Sequence, residues 1–314
     1  MITKRVLIID EMHLSICSLL QAHGFVVDYR PDILRSEILS IVGGYVGLII
    51  RSKTVIDREL IEAARSLEFI GRAGAGLDQI DRDLLEARGI KLFHAAEGNM
   101  DAVAEHAIGG LLALFNKLVQ ADTQVRKGIW DREGNRGIEL QGKTVGIIGY
   151  GNMGSAFAKR LQGFDVATLV YDKYKENFGT ASVQEVSLQE IFDQADVLSV
   201  HVPLTSETAD FLNRAFFSQF KKSIYLINTA RGELASFDTL NWALDQGIVK
   251  GVVLDVLENE KFQRFTAHQQ ASFERLAARN NVLFSPHVAG WTVESYQKIN
   301  QVLVRKISEA FVTE

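Results

Sequence analysis

Short apolar runs alternate with helical patterns along nearly the whole chain, and this constrains the fold more than any other feature. The runs are Val6–Ile9, Phe25–Val27, Val46–Ile50, Phe69–Ile70 and Lys91–Phe93, then Thr144–Ile148, Ala167–Tyr171, Val197–Val200, Ile224–Ile227, Gly251–Leu254 and Val282–Phe284. Alternation of this kind builds parallel sheets through right-handed crossovers. Eleven strands are too many for one small sheet, so the sequence predicts an α/β protein of two doubly wound parallel-sheet domains. The length of 314 residues agrees, since a domain takes roughly 100–200 residues. A boundary is expected near residue 98.

From Asn99 to about Lys127 the periodicity predicts one long helix. Val103, Ala107, Leu111, Leu114 and Leu118 form its apolar stripe, widened by Ile108, Leu112 and Phe115. A helix apolar over so much of its girth must bury more than one side. It is expected to be shared between domains and with a second subunit in a homodimer. Pro203 and Pro286 fall at the ends of late strands, where parallel sheets bind their ligands.

Composition narrows the partners. A net charge of −5 argues against nucleic acid, whose phosphates call for a basic face. No segment reaches the ~18 uninterrupted apolar residues of a membrane span. The opening MITKRVLIIDEMH reads as a first strand and not as a signal peptide. One cysteine, Cys17, leaves no internal disulfide and no thiolate metal cluster, so no metal is expected and a reducing cytoplasm is the simplest location. An acidic chain that takes an anionic substrate must gather its cations in one cleft.

The strongest local signal is the run from Gly142 to Gly154, in which Gly149, Gly151 and Gly154 form G-x-G-x-x-G between a strand and the helical run Ala156–Leu161. The first glycine permits the tight turn, the second a close approach of a pyrophosphate, and the third close helix–strand packing, with the helix N-terminus facing the phosphates. About twenty residues on, the next strand ends at Asp172, placed to accept bonds from ribose hydroxyls and to repel a 2′-phosphate. NAD is therefore expected over NADP, although Lys173 follows directly.

Three later strands end in residues suited to hydroxy-acid chemistry: Asn228–Gly232 with Arg231, Asp255–Glu260, and Ser285–Gly290 with His287. A histidine can move the hydroxyl proton near neutral pH. An arginine fork suits a carboxylate. A carboxylate beside the histidine steadies its imidazolium. On residues alone Glu258 competes with Glu260, and His94, His106 and His201 with His287; His106 reads as a packed or capping residue and His201 as wall.

The motifs GYGNMG, SVHVPLTSET, INTARGELASFDTL, GVVLDVLENE and SPHVAGWT follow in order, and over essentially its full length the chain resembles the D-isomer-specific 2-hydroxyacid dehydrogenases. The resemblance implies that His287 is the acid/base, Glu260 its partner and Arg231 the carboxylate anchor. It implies a Rossmann-type NAD domain, 98–287, inserted into a flavodoxin-like substrate domain made of 1–97 and 288–314. It extends the cofactor contacts to Asn152 and Met153, to His201, Val202, Pro203 and Thr208, to Thr229, Ala230 and Arg231, and to Asp255, His287 and Gly290. Where the family usually has proline after the glutamate, this chain has Lys261.

Within the family, Arg51-Ser52-Lys53, the stretch around Ala75 and Gly76, and Asn99 are similar to the substrate-side loops of 3-phosphoglycerate dehydrogenases. Arg51 and Lys53 would meet a phosphate, and Arg132 would reach a neighbouring subunit's site. Gln79 and Ala102 depart from the usual Asn and Ser. The expected partner is a small anionic 2-hydroxy or 2-keto acid, first of all 3-phosphoglycerate on the way to serine. A glyoxylate or hydroxypyruvate reductase and an NAD-sensing corepressor are the rivals. With 27 residues after His287, the expectation is a short form without a regulatory module.

Overall fold

The computed structural model describes residues 4–311. Its contacts divide the chain into two compact units, one running up to Met100 and resuming at Trp291, the other spanning Asp101–Gly290. Both cuts fall three residues later than the sequence reading put them.

In the first unit, β1 (Arg5–Ile8), β2 (Val26–Tyr29), β3 (Gly47–Ile50), β4 (Phe69–Arg72) and β5 (Lys91–His94) form an all-parallel sheet in the order β2-β1-β3-β4-β5. Every residue of β3 is buried, as a central strand covered on both faces requires. The helix Val293–Phe311 buries Ile299, Leu303, Val304 and Ile307 in a cluster with Val6, Ile8, Ile49 and Phe69. Each such side chain contributes ~1.5–3 kcal/mol, so packing and not chain order assigns this last segment to the first unit.

In the second unit, β6 (Thr144–Ile148), β7 (Ala167–Tyr171), β8 (Gln184–Glu185), β9 (Val197–Val200), β10 (Ile224–Asn228), β11 (Val249–Leu254) and β12 (Val282–Phe284) form a parallel sheet in the order β12-β11-β10-β9-β6-β7-β8. Strand order turns back at β6, which lies between β9 and β7. In such sheets the ligand crevice opens beyond the carboxyl ends at that reversal. β8, two exposed polar residues, has no apolar run and is invisible to the strand pattern.

The single helix expected from Asn99 to Lys127 is instead two, Met100–Phe115 and Leu118–Arg126, bent by 59°. Lys117 takes a left-handed φ of 51°. The carbonyl of Phe115 accepts Ile138 N at 3.1 Å, and the Asn116 amide donates to Leu112 O at 3.0 Å. The apolar period runs on through the break, but these bonds close the first helix. Met100–Phe115 buries Val103, Ala107, Leu111 and Leu114, whereas Leu118–Arg126 buries nothing and leaves Leu118, Val119 and Val125 more than half exposed. Among the described residues, no single helix is long and apolar enough to cross a membrane.

Candidate active site

The glycine turn closes β6 onto the helix Asn152–Leu161. Gly149 has φ 95°, and a Cβ there would lie 2.6 Å from the carbonyl oxygen of His201; at Gly154 it would lie 1.9 Å from that of Gly149. Neither position admits a side chain. Gly151 has open space instead. It is the residue before a helix with no side-chain cap, so no cap side chain takes the first amides, those of Asn152 and Met153 included. Asp172, just past β7, accepts Tyr150 N at 2.7 Å and Tyr174 N at 2.9 Å. It thereby ties the glycine turn to the adjacent strand end. The hydroxyl of Thr229, past β10, is buried without a hydrogen-bond partner. A free helix N-terminus, a carboxylate at the neighbouring strand and an orphaned hydroxyl two strands away fit a dinucleotide laid across the strand ends.

Around the next turns, the structure sorts the candidates. Thr208 donates to Pro203 O at 2.6 Å and accepts Thr205 N at 2.8 Å, holding the turn after β9. Val202 lies against the Gly149 position. The ring of His201 bonds Ser199 Oγ at 2.9 Å, and burial pushes its pKa down to about 4. A ring so hard to protonate is poorly suited to acid/base work near neutral pH.

His287 follows β12 with a left-handed φ of 56°. Its Nδ1 lies 2.9 and 3.1 Å from the two carboxylate oxygens of Glu260. The bond to Glu260 raises the His287 pKa against the opposing effect of burial, and the same bond lowers that of Glu260. Glu258 is occupied elsewhere: one oxygen accepts Phe237 N and the other Gln269 Nε2. The competition between the two glutamates is thus decided by a helix start that needs an acceptor. Asp255, 1% exposed, accepts Val288 N at 2.9 Å, Ala289 N at 2.8 Å and the Ser285 hydroxyl at 2.5 Å. It anchors the loop that bears His287 and leads to Gly290. Arg231 follows Ala230 on the loop after β10, with Nη1 donating to Ala230 O at 2.7 Å; it is near enough to His287 to oppose the effect of Glu260.

In the first unit, Arg51, Ser52 and Lys53 follow β3 and border a cavity of about 530 Å³ that Asp10, Glu11 and Asp32 also line. The Arg51 guanidinium lies 3.5 Å from the centre of the Trp291 ring and 5.4 Å from that of Tyr296. Lys53 is less available than its sequence suggests, since Nζ donates to Pro31 O at 2.6 Å and Ile33 O at 3.0 Å. Ala75 and Gly76 lie in the turn after β4, half-buried. Asn99 Oδ1 is buried and without a partner. Arg132, in the second unit, is exposed on a turn.

Residues 108–289 match the model of the D-isomer specific 2-hydroxyacid dehydrogenase NAD-binding domain. A D-3-phosphoglycerate dehydrogenase of Archaeoglobus fulgidus is 33% identical over 96% of this chain, which spans 56% of that protein. A glyoxylate reductase of Thermofilum pendens is 35% identical over 89% of this chain and 82% of its own length. A D-lactate dehydrogenase of Aquifex aeolicus, solved with NAD and lactic acid, superposes with a TM-score of 0.83 at 26% identity, covering 98% of this chain and 95% of that one. The chain belongs to the D-isomer-specific 2-hydroxyacid dehydrogenase family.

For a member of this family, the glycine turn and its neighbouring strand ends constitute an NAD-binding domain. The chain spans little more than half the length of the phosphoglycerate dehydrogenase it matches. The second unit brings together His287, Glu260, Asp255 and Arg231. Two contacts among residues already named were not legible in the sequence. Trp291 lay inside a quoted motif, but no periodicity says that a tryptophan carries an arginine on its face. Ser285 and His106 form a hydrogen bond across 179 residues, a separation at which sequence spacing is silent.

Proposed function

We infer that this chain moves a hydride between NAD and C2 of a small D-2-hydroxy or 2-keto acid. The observation that carries the reading is the His287–Glu260 pair. An ionised carboxylate only accepts, so Nδ1 of His287 is the nitrogen that bears hydrogen, and Nε2 is left with its lone pair when the ring is neutral. In oxidation Nε2 takes the hydroxyl proton. Glu260 stabilises the imidazolium that results, and in reduction the same nitrogen returns the proton. Arg231 offers its fork to the C1 carboxylate. When bound, NAD supplies the acceptor for the hydride.

For substrate, 3-phosphoglycerate is the first choice. Arg51 supports it: among the described residues its guanidinium has ring contacts but no hydrogen bond or ion pair, so its N–H groups remain for a second anionic group. Arg132, exposed on its turn, is a further cation that would reach the site of a neighbouring subunit. The second reading is glyoxylate reduction, supported by the commitment of Lys53 to two carbonyls, which leaves fewer cations for a phosphate. The exposed apolar residues Leu118, Val119, Val125, Ile129 and Trp130 support a homodimer.

Initial rates with NAD(H) on 3-phosphoglycerate, 3-phosphohydroxypyruvate, hydroxypyruvate and glyoxylate test the reading. Turnover of the phosphorylated pair at the highest kcat/KM is the expected result. Preference for glyoxylate selects the second reading, and no turnover on any of them leaves an NAD-sensing binding protein.

A further inference from the structure

His106 sits on the helix Met100–Phe115, with 30% of its side chain exposed. One helical turn on, at Gly110, a Cβ would meet Val253 Cγ1 at 2.6 Å. That face of the helix is therefore set against β11, two residues before Asp255. Nε2 of His106 lies 2.8 Å from Ser285 Oγ and 3.7 Å from Asp255 Oδ1.

The hydrogens on this cluster can be assigned. Asp255 already accepts two backbone N–H groups, from Val288 and Ala289. The Ser285 hydroxyl has one hydrogen and directs it to Asp255 at 2.5 Å. Its oxygen is then an acceptor toward His106, so Nε2 of His106 is the nitrogen that donates. The chain of bonds runs His106 to Ser285 to Asp255 to the two amides that follow His287. His287 N itself donates to Asp255 O at 2.8 Å. All of it holds a loop whose histidine occupies a left-handed backbone, a conformation that costs free energy and persists only where its surroundings impose it.

We propose that His106 is a positioning residue for His287, acting through Ser285 and Asp255 to keep the imidazole against Glu260. This rests on the reading of His287 as the acid/base. His106 touches neither substrate nor cofactor in this role; its donor fixes where the serine hydroxyl points, and the serine fixes one side of the buried carboxylate.

The test compares His106→Leu, His106→Gln and Ser285→Ala. Removing the donor is expected to lower kcat by about fivefold, the scale of one net hydrogen bond. Glutamine, whose amide nitrogen reproduces the Nε2 donor, should recover most of that loss. In a double-mutant cycle, His106→Leu should cost little more once Ser285→Ala is present, because both break the same chain. A second readout needs no turnover: NMR titration of the His287 ring. Glu260 and Asp255 raise its pKa, whereas burial and Arg231 lower it. With the ring less firmly held on Glu260, the pKa should fall toward the ordinary histidine value in His106→Leu and Ser285→Ala, and stay high in His106→Gln. Additive losses in the cycle, or an unchanged His287 titration in folded His106→Leu, overturn the proposal. If His106→Leu does not fold, Ser285→Ala against wild type decides the same point. A titration shift in a chain that turns over no 2-hydroxy acid would uphold the positioning role and defeat the functional reading.

Discussion

His287 and Arg51 are held by different means. The histidine is fixed by directional bonds: Nδ1 to Glu260, its backbone N–H to Asp255, and the amides of the next two residues to the Asp255 carboxylate. One nitrogen, Nε2, remains for chemistry. Arg51 sits over the face of Trp291, its guanidinium carbon 3.5 Å from the ring centre, a contact that takes up no N–H in a hydrogen bond. Proton transfer demands one atom at a fixed place, so directional bonds suit it. Gripping an anion demands many donors, so a support that consumes none suits that.

Removing the histidine should break the comparison most severely. His287→Asn is expected to lower kcat by ~10²–10⁴ while leaving the melting temperature nearly unchanged, since asparagine tolerates a left-handed backbone. A residual rate within tenfold of wild type would reassign the base. Next in size is Arg51→Ala. A charge-assisted bond contributes ~1.5–3 kcal/mol, so kcat/KM for a phosphorylated substrate should fall by about 10–150-fold, with glyoxylate almost unaffected. Equal losses on both substrates would mean that Arg51 grips no second anionic group.

Glu260→Gln should act through pH. Because Glu260 raises the pKa of His287, its loss lowers it. In reduction, which needs the imidazolium, the alkaline limb of the pH–rate profile should move to lower pH. In oxidation, which needs the neutral ring, the acid limb should move the same way. A shift of half a unit changes the protonated fraction about threefold on the alkaline side. Profiles that superpose would sever Glu260 from His287. The smallest effect belongs to Trp291. Losing a partly exposed cation–π contact, worth ~0.5–1 kcal/mol, should raise KM for the phosphorylated substrate by about two- to fivefold in Trp291→Ala, with Trp291→Phe close to wild type. A kcat effect instead would show that Trp291 serves the chemistry and not the grip.

The sheets were legible in the sequence because a strand buried on both faces must be largely apolar: β3 is so throughout, and β6 and β9 depart from it only at Thr144 and Ser199. The glycine turn was legible because backbone geometry forbids side chains at Gly149 and Gly154. Less could be read where a distant partner decides. The apolar period gives no sign of the break at Lys117; the Asn116 amide on Leu112 O and the amide of distant Ile138 on the carbonyl of Phe115 mark it. Nothing local commits the Lys53 ammonium; the carbonyls of Pro31 and Ile33 take two of its hydrogen bonds. Glu258 and Glu260 look alike in the chain, and only the first meets a helix start that needs an acceptor.

The left-handed backbone of His287 also bears on descent. Of the residues one base change from a histidine codon, asparagine and aspartate accept that conformation most readily, and aspartate would set a second negative charge beside Glu260. Drift at this codon therefore has one easy exit, to asparagine. That exit keeps the loop and the glycine turn, so under the proposed function the readiest descendant is a protein that retains both binding sites and loses the proton transfer.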